Sequence, residues 1–494
     1  MTDIPAATAE TSSCGAEIRR HTEPEPRLFS GRNGLFAAML AGGVVLHAIN
    51  IFMGGTVMPS VVKDIGGLDA YAWATTLFVV ASILAAAVTA RVLRALGPRG
   101  AYLVAALAFG AGTLVASLAP SMTVLLVGRT IQGFGGGFLY ALAYAVTRRV
   151  LPPALWGKAI SLISSTFGVA TLIGPAVGGV FAQYHAWRAA FWSLLPFVVL
   201  FAIVAVTKLP GKAASEGPEI RIAWLQLALL AAAVLVVSAV SLTPDLLLNA
   251  AGLAIALLMT GWIGRIERRA DARLLPKGAF SLASPLGVTY LVIAFLMMAM
   301  QPDTFVPYLL QTLHGQSPLV AGYLAALVAI GWTVGTMASV RWRRGDGSGL
   351  ILTGLFLVLG GIVLLTIFLP IQSDGALSVV MALCASLTLM GFGIGISWPS
   401  LVTRVYHYAP AGEQELASGG MTTVQLFASA LGTAAAGMVA NLAGFADPGG
   451  INGAARAAIA LAATSTIWPL LAIPLAIRMA RASRREASDM PPRG

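Results

Sequence analysis

The fold is decided by the stretch from Gly128 to Trp192, which holds two apolar helices with polar or glycine-rich inserts. The first insert reads Gly128-Arg129-Thr130-Ile131-Gln132-Gly133-Phe134-Gly135-Gly136-Gly137. The second reads Gly168-Val169-Ala170-Thr171-Leu172-Ile173-Gly174-Pro175-Ala176-Val177-Gly178-Gly179, with Trp187-Arg188 beyond it. Both runs are otherwise fit only for lipid or protein interior. A charge inside such a span costs at least ~2.5–3.5 kcal/mol on insertion scales, so Arg129 is paired, snorkelling or working. Small residues every three or four positions let helix backbones approach closely, and Pro175 removes a donor and loosens its helix. The glycines therefore read either as tight packing or as a hinge.

The rest of the chain agrees. Of 494 residues, 57% are hydrophobic and 10% charged, where a soluble domain carries about a quarter charged. This predicts an all-α polytopic membrane protein. The two cysteines, Cys14 and Cys384, fall in a polar tail and a span and form no disulfide framework. The net charge of +11 does not point to nucleic acid, because its distribution is a topology signal.

Fourteen spans are expected at 34–59, 71–93, 101–119, 122–147, 159–183, 189–207, 222–241, 248–265, 284–312, 319–340, 350–370, 376–405, 416–441 and 455–479. With this count, one side receives only Lys63, Arg188 and Arg456, and Arg129 stays within a span. All other Lys and Arg of the 31, Arg404 among them, fall on the side of the two termini. The positive-inside rule makes that side cytoplasmic, and one span more or fewer would destroy the asymmetry. Residues 1–33 lack an apolar core of signal-peptide type and read as an uncleaved, disordered cytoplasmic tail, and 481–494 as a cytoplasmic C-tail.

Spans 7 and 8 are plain Leu/Ala/Val runs, which usually means lipid-facing packing. They divide the chain into an N-terminal six-helix half (34–207), a linker with two extra central spans (208–283) and a C-terminal six-helix half (284–480). Two such halves with a site between them form a transporter pattern.

Asp303, in Gln301-Pro302-Asp303-Thr304, is the one acid of twenty that falls in a span. It is a candidate proton carrier by position, or it marks an earlier end of span 9. Arg129 and Asp303 both lie roughly 10–15 Å below the same surface at 1.5 Å per residue, so they could face each other across a cavity, where pairing with Arg129 and proton binding to Asp303 would compete. His47 is a second candidate for proton coupling, against an ordinary hydrogen-bonded histidine. Asn50, Gln132, Tyr140, Tyr144, Gln301 and Trp398 are the other polar or aromatic span residues read as substrate contacts. Their aromatic faces suit a flat or cationic molecule, although tyrosines and tryptophans also anchor span ends. No metal-ligand spacing, nucleophile–base pattern or phosphate-cradling loop occurs, which argues against an enzyme and a metal site. The loops are too short for a receptor's soluble domain.

Over residues 34–480 the chain resembles the fourteen-span drug:proton antiporters of the major facilitator superfamily. Gly128-Arg129-xx-Gln132-Gly133-x-Gly135 is similar to their span-4 motif. Gly174-Pro175 with Gly178-Gly179 is similar to their span-5 antiporter motif, with Ala170 where its first glycine usually stands. Trp187-Arg188-xx-Phe191-Trp192 follows as in relatives. The resemblance implies the major facilitator fold, a role for Arg129 in proton coupling, and spans 1, 4, 9 and 12 lining the cavity. It implies that Gly168, Gly174, Pro175, Gly178 and Gly179 serve the antiport conformational change.

Two departures stand out. Asn50 occupies the position of an acid in span 1, and Arg94 replaces the aspartate of the loop after span 2. Asp303 is then the main remaining carrier, or the protein is not proton-coupled. The expectation is a monomeric multidrug-type exporter in the plasma (inner) membrane. It exchanges protons for a hydrophobic or cationic small molecule, with the proton gradient as its energy source and no cofactor. An uncoupled facilitator or importer of a small metabolite is the alternative.

Overall fold

The computed structural model describes residues 27–212, 222–342 and 347–488, with side chains to 481. Every regular element among them is helical. In chain order these are α1 (Gly31–Ile65), α2 (Trp73–Ser117), α3 (Met122–Val150), α4 (Trp156–Gln183), α5 (Trp187–Trp192) and α6 (Leu195–Lys208). Then come α7 (Trp224–Val240), α8 (Leu246–Glu267), α9 (Pro285–Ala299), α10 (Val306–Leu313) and α11 (Pro318–Trp342). The last are α12 (Ser348–Phe368), α13 (Leu377–Tyr408), α14 (Gln414–Leu442), α15 (Gly450–Ser465) and α16 (Ile467–Ser488). Among the described residues, 11 helical segments are long and apolar enough to cross a membrane. Phe197, Leu200, Leu258 and Met337 are more than half exposed on helix faces, as an integral membrane protein requires of its lipid-facing surface.

Several sequence expectations shift at element ends. α1 starts at Gly31 and Leu28 is buried, so the disordered tail expected to residue 33 is ordered from 27; residues 1–26 lie outside those described. α16 runs to Ser488, where a tail was expected from 481. Span 9 is interrupted by a 3-10 turn, Gln301–Thr304, because Pro302 cannot donate to the helical ladder. Arg404, counted with the basic residues of the terminal side, is buried near the end of α13 with its guanidinium 5.4 Å from the Tyr408 ring.

α2 contains a reversal at Gly97, whose φ of 71° suits glycine, followed by Pro98. The turn is held from outside. Arg99 N donates to the Pro210 carbonyl at 3.2 Å, and its guanidinium donates to the Val206 carbonyl. The two segments run in opposite directions along α3. A Cβ on Gly133 or Gly137 would strike Phe78 or Ser82, and one on Gly128 or Gly135 would strike Ala116 or Phe109. These glycines make a three-helix slab in backbone contact, the arrangement small residues permit in lipid.

The sides of the bundle can be told apart. Call the face with the α1 start and the α16 end the terminal face, and the other the far face. At the far face Arg188 Nη1 donates to Asp64 Oδ2 at 2.5 Å and Nη2 to the Ala119 carbonyl at 2.8 Å, while Trp187 Nε1 donates to Asp64 Oδ2 at 3.0 Å. These bonds tie α5 to α1 and α2. α4 then meets α11 where a Cβ on Gly179 would lie 2.5 Å from Leu319 Cα, and Tyr323 Oη donates to the Leu172 carbonyl at 3.1 Å. Tyr71, just before α2, is sealed in a box with Phe305, Tyr308 and Phe445 at ring distances of 5.3, 5.8 and 5.8 Å.

The α7–α8 pair bridges the groups on either side of it. At the far face Trp73 Nε1 donates to the Ser238 carbonyl at 3.0 Å, and Asn441 Nδ2 donates to the carbonyls of Asp69 and Ser241 at 2.8 and 2.9 Å. At the terminal face the loop after α8 is clamped by Glu413. Its carboxylate accepts from Arg273 Nη2 at 2.9 Å and from Lys277 N at 2.8 Å. Partial burial pushes the Glu413 carboxyl up, and the Lys277 N–H and the Arg273 guanidinium outweigh this, holding it below the ordinary glutamate range.

Candidate functional site

The glycines of α3 press it against α2, and this turns Arg129 and Gln132, three residues apart, into the interior between α1 and α2. Arg129 is 5% exposed, and Asn50 and Gln132 are fully buried. Arg129 Nη1 donates to Asn50 Oδ1 at 2.5 Å and to Gln132 Oε1 at 2.7 Å, and Nε donates to the Ala74 carbonyl at 3.4 Å. Gln132 Nε2 donates to Thr113 Oγ1 at 2.8 Å. The guanidinium lies 4.4 Å from the centre of the Phe78 ring, a cation–π contact. Gly54 makes room for it, since a Cβ there would lie 3.2 Å from Nη2.

Arg129 therefore neither snorkels nor pairs with Asp303. Spacing along a helix does not fix direction around its axis, and Arg129 points from α3 toward α1 and α2. The charge is solvated by neutral amides, a carbonyl and a ring. Asn50 and Gln132, read as substrate contacts, are consumed by this lock. One atom in it is unsatisfied: Asn50 Nδ2 is buried with no hydrogen-bond partner.

Beside the lock lies an aromatic group. His47 stacks on Phe78 at 5.4 Å and lies 5.6 Å from Tyr140, which contacts Tyr144 at 5.3 Å and Phe167 at 6.0 Å. Tyr140 and Tyr144 are half-buried, and the next residue on α4 after Phe167 is exposed Gly168. A Cβ on Gly168 would meet nothing within 4 Å, so this group borders open space. The α4 glycines separate into two kinds. Gly174 and Gly178, flanking Pro175, pack on Phe52, Met53 and Val57 of α1, and Gly179 packs on α11. Gly168 packs on nothing nearby.

Asp303 sits in the 3-10 turn between α9 and α10. It is half-buried, and its Oδ1 is buried with no hydrogen-bond partner. Gln301 is tied up beside it: Oε1 accepts from Thr433 Oγ1 at 2.6 Å, and Nε2 donates to the Met297 carbonyl at 2.6 Å. Trp398 is elsewhere, on α13 against Trp332 of α11 at 5.2 Å. The expected site residues thus fall into a buried lock, an aromatic wall, a broken-helix carboxyl and a separate tryptophan pair. Phe78, Ala74 and Thr113 were missed because apolar and small residues in an apolar span carry no signal. Tyr71 and Phe445 were missed because aromatics at span ends read as interface anchors.

The geometry fits a known family. The Major Facilitator Superfamily profile matches residues 40–433. A probable multidrug-efflux transporter of Mycobacterium tuberculosis is 36% identical over 437 residues, covering 87% of this chain and 92% of that protein. Multidrug resistance protein 3 of Bacillus subtilis is 25% identical, covering 73% of this chain and 70% of its own. Among solved structures, a peptide transporter POT in complex with alafosfalin superposes with a TM-score of 0.67 at 14% identity, covering 93% of this chain and 97% of that one. The human organic anion transporter superposes at 0.58 with 18% identity, covering 90% and 100%. At these identities the solved structures share the fold. The chain belongs to the Major Facilitator Superfamily and is an integral membrane transporter, not an enzyme.

Proposed function

We propose that this transporter exports hydrophobic or cationic small molecules in exchange for protons, as a fourteen-span member of the drug:proton antiporters. The observation that carries the coupling is Asp303, a carboxyl in a broken helix whose buried oxygen has no partner. Such a group is free to take up and release a proton as access alternates. The multidrug names of the relatives from Mycobacterium tuberculosis and Bacillus subtilis support the substrate class.

Fourteen crossings follow if α2 is counted as two segments, one on either side of Gly97, and α3, despite its arginine, and the 17-residue α7 are added. The chain then has halves at 34–207 and 284–480 with the pair at 208–283 inserted. Both termini are cytoplasmic by charge, the membrane is the plasma membrane, and the unit is a monomer. Far-face interlocking between α4 and α11, with α4 exposed at Lys158, Ser161 and Ser165, supports an inward-facing state. Rocking of the halves would reverse this.

The test is proton movement in proteoliposomes. Substrate-triggered proton flux with a panel of lipophilic cations should vanish in Asp303→Asn while the protein still binds substrate. Full coupling in the variant would refute the assignment. An uncoupled facilitator is the second reading, favoured by Asn50, which leaves Arg129 without a carboxylate to compete for. Transport without any proton movement in the wild type would establish it.

A further inference from the structure

A cavity of about 920 Å³ opens at the terminal face between the segment before α1 and the start of α4. Its walls are Arg27, Phe29 and Ser30 on one side and Lys158, Ser161 and Ser165 on the other, over a floor that includes Leu28 and Leu162. Lys158, Ser161 and Ser165 share one face of α4 by their spacing of three and seven. Among the described residues, no carboxylate pairs with Arg27 or Lys158. Leu28 is 7% exposed and pins the segment, whereas Phe29 is 76% exposed beside it. Ser30 Oγ donates to the Arg27 carbonyl at 3.0 Å, and Ser165 Oγ to the Leu162 carbonyl at 2.8 Å. Ser161 has no such internal bond.

We propose that this cleft binds the phosphate headgroup of an anionic membrane lipid. A guanidinium and an ammonium lining one cleft, with the Ser161 hydroxyl left to donate, match a phosphodiester, because both cations bind phosphate oxygens with charge-assisted bonds. The apolar floor and Phe29 supply the second half of the recognition, alongside the first carbons of an acyl chain. The cleft lies at the start of the candidate spans of α1 and α4. Basic pockets at this level hold lipid headgroups generally. The headgroup would bridge the start of α1 to α4, the helix whose far end interlocks with α11. Lipid charge would then bear on the helix that moves between access states.

The experiment uses the full chain in neutral detergent, titrated with dioleoylphosphatidylglycerol, dioleoylphosphatidylcholine or glycerol 3-phosphate. Bound lipid is counted by native mass spectrometry and the thermal midpoint is followed in parallel. Removing a cation that contacts the headgroup weakens anionic-lipid binding about fivefold. Arg27→Gln with Lys158→Gln should therefore weaken phosphatidylglycerol binding roughly 30-fold. The charge-matched control Arg268→Gln with Arg269→Gln should not, and Arg27→Lys with Lys158→Arg should retain binding. Phosphatidylcholine should bind weakly throughout. Equal losses in the pocket and control variants would overturn the site, leaving only general surface charge. Glycerol 3-phosphate competing as well as the lipid would overturn the lipid assignment in favour of a soluble phosphate ester.

Discussion

The buried lock around Arg129 is incomplete in a way that makes Asn50→Asp informative. Asn50 Oδ1 accepts from the guanidinium at 2.5 Å, while its Nδ2 is a buried donor with no partner. An aspartate has nearly the same shape. It keeps the accepting oxygen and replaces the orphaned donor with a second acceptor. An unsatisfied buried donor costs about 1–3 kcal/mol, and the new carboxylate adds Coulomb attraction to the guanidinium it already contacts. Against this stands the desolvation of the new carboxylate, several kcal/mol for an unpaired ion. Here the cation is already buried and uncompensated, and its attraction offsets most of that penalty. The expected net gain is about 1–3 kcal/mol, read as a rise of a few degrees in thermal midpoint at neutral pH in detergent. Asn50→Leu removes the acceptor, at about 1.5–3 kcal/mol for a bond to a charged group. The midpoints should therefore rank aspartate above asparagine above leucine. An aspartate variant as unstable as the leucine variant would refute the reasoning, since it would mean that Arg129 is already fully satisfied by Gln132, Ala74 and Phe78.

Other outcomes follow from the same geometry. In Gly135→Ala the new methyl would lie 2.2 Å from Phe109 N, and backbone cannot give way as a side chain does. Overpacking of about 1–3 kcal/mol or more should abolish monodisperse protein on size-exclusion chromatography, while Gly168→Ala elutes normally. Tyr71→Ala should loosen the far-face box, so that Gly55→Cys, on α1 where a Cβ would meet nothing within 4 Å, reacts several-fold faster in a background lacking Cys14 and Cys384 with a water-soluble maleimide added at that face. An unchanged rate would place the seal elsewhere. Glu413→Gln tests the terminal-face clamp. The folded carboxyl lies below its ordinary 4.5, so its stabilisation is present above that pH and lost as pH falls through the lower folded value. The difference in thermal midpoint between wild type and variant should be full at pH 6 and shrink below about 4.5; a constant difference would argue against the clamp.

Much of this molecule is legible along one dimension and illegible around the helix axis. The all-helical membrane architecture, the turn near Gly97, the loosening at Pro302 and the burial of Arg129 in a span all follow from composition and spacing. The partner of Arg129 does not: Asp303 is expected at a similar depth, yet the side chain points from α3 toward α1 and α2. The resemblance placed an acid of its family at position 50, and that was the better guide, because Asn50 is what the arginine contacts. Gly174 and Gly178 were readable as a packing stripe, but not that their neighbours are Phe52 and Met53. The Tyr71 box joins residues from segments hundreds of positions apart, and no local pattern carries it. The glycines of α3 read as packing or hinge, and the contacts of Gly128, Gly133, Gly135 and Gly137 with the α2 backbone decide for packing.

Backbone pressed on backbone has a mechanical meaning. The slab formed by α3 and the two segments of α2 has almost no side-chain layer to deform, and close-packed interiors resist compression. It behaves as a stiff plank, so any swing of this half is rigid within it and is taken up at its borders. A spin-label pair on Leu107 and Val127, both exposed on the slab, should hold one distance through the transport cycle. A pair on Lys158 and Met337, exposed on α4 and α11, should change as the terminal face closes. The glycines of α3 thus set which parts of the machine are beams and which are joints.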